Sequence, residues 1–283
     1  MCIILFAINS HPDYPFVVAA NRDEFYARPT KKIDWWSDYS HVLGARDQAD
    51  VLGLPGTALG LSQKGKFSAI TNIRAPSEKN PDLRTRGELT AKFLSQSKPI
   101  HEFITDHQKS FLQYNGFNLL LGDLSNVARP EFFWVSNRLL VGDKIRQRKT
   151  INPTAISAGL YGLSNAMLDT PWPKVRSGVA QFAQALARDS GKFNQDAMYF
   201  NLLADNNNFS DQVLPSTGVS HEWEKALAPI FIQTEHYGTR SSTLLRVRKD
   251  GMFQMIERSF QQNELTNTSI FEGQLEQSTT QDR

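Results

Sequence analysis

Two apolar, β-branched and aromatic runs open the chain, Cys-Ile-Ile-Leu-Phe-Ala-Ile at 2–8 and Phe-Val-Val-Ala-Ala at 16–20, with His11, Pro12 and Asp13 between them. Runs of this composition favour strands, and the His-Pro-Asp interruption makes them a β-hairpin. The hairpin constrains the fold, because residues at the end of its second strand return beside the amino terminus. Those residues are Asn21, Arg22, Asp23 and Glu24, and the residue they return to is Cys2.

The rest of the chain alternates strand pairs with helix pairs. A second strand pair is expected over 57–61 and 67–71, around a Lys64-Gly65 turn. Apolar spacing of three and four predicts helices over 87–94 and 100–112, and strands return over 118–122, 131–135 and 154–160. Thr170 followed by Pro171 reads as a helix start, with Val175, Val179, Phe182 and Leu186 as its apolar stripe. A further helix is expected over 195–204, then strands over 230–233, 243–247 and 253–257, the last two joined by Asp250-Gly251. This order suggests an α+β fold with helices layered on antiparallel sheets, not a βαβ winding. With no repeat and no linker, a single domain is expected over 1–272, and the polar stretch 273–283 reads as a disordered tail.

Composition excludes several classes. At 283 residues, one large domain accommodates the chain, and 40% hydrophobic with 21% charged residues is ordinary for a folded protein. A net charge of +2, with basic residues spread out apart from 144–149, argues against nucleic acid as a partner. One cysteine excludes an internal disulfide framework. The first apolar run lacks the basic flank and length of a signal peptide, and no run approaches a membrane-spanning length. A cytoplasmic location is the resulting expectation; oligomeric state is not legible.

The chemistry concentrates on few residues. If Met1 is removed, the Cys2 thiol sits beside its own α-amine, whose reference pKa of about 7.7–8.0 suits a general base for a thiol near 8.5. The alternative is a small buried hydrophobe on a first strand. Asp23 could hold that amine, and Arg22 could lower a thiol pKa or hold an anion; a polar turn ending a hairpin is the plainer reading. Three more polar points end strands or sit in turns: Thr71-Asn72, Ser164-Asn165 and Thr239-Arg240. Asparagine amides suit an oxyanion, and an arginine suits a carboxylate. No metal site is expected.

Taken together, these segments resemble the NRDE-motif family, also called the transport and Golgi organisation family. The matching stretches include Met1-Cys2-Ile3-Ile4, Asn21-Arg22-Asp23-Glu24-Phe25-Tyr26, Arg86-Gly87-Glu88-Leu89, Tyr114-Asn115-Gly116-Phe117, Tyr161-Gly162-Leu163-Ser164-Asn165, Thr170-Pro171-Trp172, Tyr237-Gly238-Thr239-Arg240 and Glu257-Arg258-Ser259. They run from residue 1 to about 260. The resemblance implies an offshoot of the cysteine N-terminal-nucleophile (Ntn) hydrolases, a four-layer αββα sandwich of antiparallel sheets. It carries the roles of nucleophile to Cys2, amine-holding acid to Asp23, oxyanion donors to Asn72 and Asn165, and final arginine to Arg240. Two departures stand out. The hydrolase group has an arginine where this chain has Ala20, with Arg22 two residues later, and the family usually has a tryptophan at Ala58, so that a pocket is widened here.

What is known of the family points to haem mobilisation and lipid homeostasis. The first functional expectation is therefore ligand handling, with haem as a transported ligand and no covalent attachment, since no Cys-x-x-Cys-His is present. Permissive residues are Trp35, Trp36, Phe133, Trp134 and Trp172, with His236 as the axial candidate beside Tyr237 and Arg240. The second is an amidohydrolase or acyl-transfer enzyme using Cys2, and the third an interaction protein that keeps only the scaffold. The partner expected throughout is a small hydrophobic or anionic molecule.

Overall fold

The computed structural model of the chain describes residues 2–48, 55–142 and 144–277. The first hairpin forms as the sequence demands. β1 (Cys2–Ile8) pairs antiparallel with β2 (Phe16–Phe25), Ile8 opposite Phe16 and Cys2 opposite Arg22. There follow β3 (Thr30–Trp35), β4 (Val42–Asp47), β5 (Leu59–Ser62), β6 (Lys66–Asn72), α1 (Gly87–Ser95), α2 (Ile100–His107), β7 (Phe117–Asp123) and β8 (Glu131–Ser136). A short hairpin, β9 (Arg138–Val141) and β10 (Lys144–Gln147), precedes β11 (Thr154–Ala155) and β12 (Gly159–Leu163). The remainder is α3 (Pro173–Arg188), α4 (Asp196–Leu203), α5 (His221–Ala226), β13 (Tyr237–Val247), β14 (Met252–Gln261) and β15 (Glu264–Gln274).

Two large antiparallel sheets result, one of order β12-β1-β2-β13-β14-β15 and one of order β11-β8-β7-β6-β5-β4-β3. The period of two along a strand decides what each face does. Ile4, Phe6 and Ile8 of β1, with Phe16, Val18 and Ala20 of β2, meet Leu43, Leu61, Phe67, Leu120 and Trp134 of the other sheet. Their neighbours Ile3, Leu5, Ala7, Val17 and Ala19 pack on Phe182 and Leu186 of α3 and on Phe200 and Leu203 of α4. Leu119 and Leu121, on the outer face of the seven-stranded sheet, meet Leu89 and Phe93 of α1 and Phe103 of α2. The layers are thus α, β, β, α, the expected fold class. Because β1 is buried on both faces, its run is apolar throughout, and each fully buried Ile, Leu or Phe contributes roughly 1.5–3 kcal/mol.

The structure corrects several expected boundaries. The single strand expected over 154–160 is two strands: β11 pairs with β8 in one sheet, and β12 pairs with β1 in the other. A strand stays in one sheet, so a segment that edges both must bend. Thr170 does not cap a helix; its hydroxyl donates to the Met167 carbonyl at 2.8 Å, and α3 begins at Pro173. No strand forms over 230–233 beyond one bridge from Gln233 to Gly238. The tail boundary at 273 also moves: β15 continues to Gln274, Leu275 is buried between the sheets, and the Gln277 amide bonds to Val127 and Leu124. As an edge strand with little buried side chain, β15 has a polar composition that conceals it. Residues 278–283 of the expected tail lie outside the described residues.

Candidate functional site

Alternation splits the Asn-Arg-Asp-Glu segment between the two faces of β2. Asn21 and Asp23 share the parity of Val17 and Ala19 and point to the helix layer; Arg22 and Glu24 share that of Phe16 and Val18. Asn21 is a tie: its Nδ2 donates to the Leu203 and Ile230 carbonyls at 2.8 and 3.0 Å, and its Oδ1 accepts from Ser242 at 2.7 Å. Asp23 is buried and accepts from Thr239 Oγ1 at 2.8 Å, while Tyr237 donates its hydroxyl to the Asp23 carbonyl at 3.0 Å. Arg22 lies beside Cys2 in the ladder, with Ser241 opposite on β13.

Cys2, half-buried, stands where two cavities meet. One, a narrow crevice of about 30 Å³, runs between the sheets and is largely apolar, with Ile4, Ala20, Ile33, Leu59 and Met255 in its walls and Glu257 at one side. The other, of about 110 Å³, is polar, lined by Asp23, Glu24, Arg28, Asp47, Asn72 and Arg86. Cys2, Arg22, Ala45, Ala58 and Ile70 line both. The small side chain at Ala58 therefore sits at the junction, where a tryptophan would fill space. Glu257, buried, accepts from the Ile33 amide at 2.9 Å and so ties one sheet to the other.

The electrostatics follow from burial. Burial pushes the Cys2 thiol above its ordinary value, and the Asp23 charge pushes it further up, while the amino-terminal charge, the Asp23 backbone N–H and Arg22 pull it down. Burial likewise raises Asp23, opposed first by the amino-terminal charge and then by Lys174, the Thr239 hydrogen bond and Arg22. Lys174, buried in the first turn of α3, is pushed down to about 8 by burial, with Asp23 the largest opposing influence. Burial lowers Arg86 to about 10, with Glu24 and Cys2 acting against it.

The residues expected from sequence separate into two groups. Cys2, Arg22, Asp23, Glu24 and Asn72 come together on the polar cavity. Asn165 does not line it: wholly buried, it donates Nδ2 to the Asn72 carbonyl at 2.9 Å and so holds the end of β6 in place. Ser164 beside it donates to the Cys2 carbonyl at 2.9 Å. Arg240 lies at a bulge in β13, and its Nη1 donates to the Phe25, Tyr26 and Arg28 carbonyls at 3.0–3.2 Å. It braces the turn after the motif and lines a third cavity, of about 220 Å³, with Arg22, Lys31 and Lys32. His236 is on the surface, its side chain 80% exposed and 3.4 Å from Glu235, and Tyr237 is buried beneath it. His236, Tyr237 and Arg240 therefore form no common wall.

Sequence reasoning passed over Lys174, Arg86 and the buried pair of Arg74 and Glu224 at 2.5 Å. Arg86 belongs to the Arg86-Gly87-Glu88-Leu89 motif, which by itself suggests no chemistry. Lys174 carried no signal, since a lysine beside an apolar stripe normally marks a solvated face. Among the described residues, no group of three or more His, Cys, Asp or Glu is arranged to hold a metal, and no helix is long and apolar enough to cross a membrane.

The thiol at the head of an interior strand thus lies in a cleft of an α+β sandwich, between two antiparallel sheets cased by helices. A solved structure of a conjugated bile acid hydrolase from Clostridium perfringens is similar over 100% of both chains, at 10% identity and a TM-score of 0.48. Residues 1–262 match the family described as Transport and Golgi organisation 2. The Transport and Golgi organization protein 2 homolog of Bos taurus is 35% identical over 270 residues, covering 92% of this chain and 93% of that one. The Homo sapiens homolog is 33% identical over 278 residues, covering 94% and 96%. The chain belongs to the transport and Golgi organisation 2 family.

Proposed function

We propose that this protein handles acyl groups through Cys2, as an amidohydrolase or acyl transferase acting on an acyl amide or thioester. The observation that carries this reading is the thiol at the junction of an apolar and a polar cavity. The apolar crevice suits the first carbons of an acyl group, and the polar cavity, with Arg28 and Arg86, suits the departing portion. With Met1 removed, the Cys2 amine takes the thiol proton and the sulfur attacks the carbonyl carbon. The carbon–nitrogen or carbon–sulfur bond breaks, the proton passes to the leaving amine or thiol, and a thioester on Cys2 remains. Water, or an acceptor, then releases the acyl group. Asn72, on the cavity wall, is the candidate donor to the oxyanion.

Intact mass tests the reading directly. Mature protein is expected to lack Met1 and, after incubation with acyl amides or thioesters, to gain the mass of one acyl group, which Cys2→Ala abolishes. Retention of Met1, or equal acylation of the alanine variant, overturns it.

One observation favours a second reading, ligand handling with haem as cargo. A separate groove of about 680 Å³ has Met167, Trp172, Ile145, Leu140 and Val213 in its walls and Lys144 and Arg146 at its rim. Leu140 and Val213 are more than half exposed there, and the two cations suit propionates. Titration with haem is expected to give a saturable Soret shift that Lys144→Glu with Arg146→Glu weakens. A featureless spectrum at micromolar protein discards it.

A further inference from the structure

We infer that the cavity walled by Arg22, Lys31, Lys32 and Arg240 is an anion subsite that seats a phosphate group carried by the molecule handled at Cys2. This deepens the Cys2 reading and rests on that thiol being the reacting group.

The backbone delivers these cations to one place. Among the described residues, the antiparallel ladders change register at three points: between Lys31 and Asp34 of β3, between Thr239 and Ser241 of β13, and between Ser259 and Phe260 of β14. All three border this cavity, of about 220 Å³. Regular alternation would send Lys31 and Lys32 to opposite faces, yet both line its wall, and Arg240 is the unpaired residue of its bulge. A bulge re-aims a side chain, and bulges gather beside functional sites.

The charge collected there lacks a counter-charge. In the neighbouring polar cavity, Arg28 holds the Asp47 carboxylate through Nε and Nη2. Among the described residues, Arg22, Lys31, Lys32 and Arg240 have no carboxylate at ion-pairing distance, and Arg240 donates only to backbone carbonyls. The one carboxylate on the wall, Glu257, accepts from the Ile33 amide at 2.9 Å, and burial raises its pKa, which weakens it as a counter-charge. Burial and the like charge of Arg22 both lower Arg240. Thr30 adds an unpaired polar group. Its hydroxyl is buried without a hydrogen-bond partner among the described residues, and Thr30 lines both this cavity and the polar one.

Two exposed lysines alone would be a solvated face. The half-buried Arg22 without an anion and the orphaned Thr30 hydroxyl make this a site. Four cations against one carboxylate favour a dianion over a monoanion, and arginine forks with a hydroxyl donor suit phosphate oxygens. Arg22, opposite Cys2 in the ladder, and Ala45 line this cavity and both cavities at the thiol, so the subsite adjoins the reacting sulfur.

Phosphorus NMR titration of the full chain with inorganic phosphate and with phenyl phosphate, at low ionic strength, reads the site. One saturable site is expected for both probes. It should weaken about tenfold or more in Arg22→Gln and in Lys31→Gln with Lys32→Gln, as lost charge-assisted hydrogen bonds imply. Lys144→Gln with Arg146→Gln, in the separate groove, should leave it unchanged. Lys31 and Lys32 are exposed, so that double variant keeps the fold and decides if Arg22→Gln does not fold. No saturable binding, equal loss in the groove variant, or displacement by acetate at the same concentration overturns the inference. Binding of inorganic phosphate with rejection of phenyl phosphate also overturns it, in favour of a free ion.

The single cysteine gives a second readout. Intact mass follows alkylation of Cys2 across pH by iodoacetate, an anion, and by iodoacetamide, its neutral counterpart. Both need the thiolate, so the ratio of their rates cancels the thiol pKa. Wild type is expected to favour iodoacetate several-fold more than Lys31→Gln with Lys32→Gln does, and phosphate should slow iodoacetate more than iodoacetamide. An equal ratio, or phosphate slowing both alike, overturns the link to Cys2. If phosphate binds as expected while no acyl adduct forms, the acyl-transfer reading falls and this one stands; an adduct without saturable phosphate binding has the opposite meaning.

Discussion

The six-stranded sheet buries charge at both ends of its helix-facing side, and the two ends are finished differently. Away from Cys2, Asp189 and Arg246 have wholly buried side chains 3.1 Å apart. Asp189 also accepts from Tyr199 at 3.0 Å and from the Gly191 amide at 3.0 Å. Arg246 donates to Gln254 and lies over the Phe193 ring at 5.4 Å. At the other end Asp23, Lys174, Arg74 and Glu224 are just as buried, but Asp23 lines a cavity of about 110 Å³ shared with a thiol. Desolvation costs both clusters, and each offsets it by pairing. Burial of charge therefore does not distinguish a functional end from a structural one. Access to a nucleophile does.

The largest effect is expected at the closed end. Arg246→Met leaves Asp189 buried without its cation and should cost about 3–5 kcal/mol in urea unfolding, while the pH profile of Cys2 alkylation stays unchanged. A loss below about 1 kcal/mol would dissolve the contrast. Asn165→Ala comes next. It removes the donor to the Asn72 carbonyl and is expected to cost about 1–3 kcal/mol, because a buried acceptor loses its partner.

Asp23→Asn sharpens the comparison through pH. Burial raises the Asp23 pKa, so the folded chain holds that proton more tightly than the unfolded one. The stability tied to this group is then full below the ordinary carboxylate range and lost as pH rises through the raised value. Wild type should lose stability relative to Asp23→Asn over that window, in urea titrations at successive pH values; a flat difference contradicts it. The same variant removes a charge that raises the thiol pKa, so alkylation at a given pH should quicken. The smallest effect is reserved for His236→Ala, a surface change expected to alter neither melting temperature, thiol profile nor any haem titration. A lost Soret shift there would return His236 to the ligand-handling reading.

Much of the fold was legible because its strands are local and strongly apolar. β1 and β2 were expected within a few residues, as were β5, β6, β7 and β8. β15 was not, since an edge strand presents polar side chains and carries no core signal. Within the site, Cys2, Arg22 and Asp23 could be brought together on paper because one hairpin connects them. Asn165 and Arg240 looked like donors to a substrate, but buried asparagines and arginines at bulges are equally suited to tying down carbonyls, and here they do. Nothing in residue type separates the two uses.

By itself the sequence determined the local pairing: a short interruption between two apolar runs sets the register, and the register puts residue 22 against residue 2. Strand alternation then sends Arg22 and Asp23 to opposite faces. Tertiary structure alone decided what each face meets, because Lys174, Glu224 and Asn72 reach the site from elements up to about 200 positions away. Their arrival depends on how layers stack, and stacking answers to the summed burial of dozens of side chains, which no short stretch of the chain encodes.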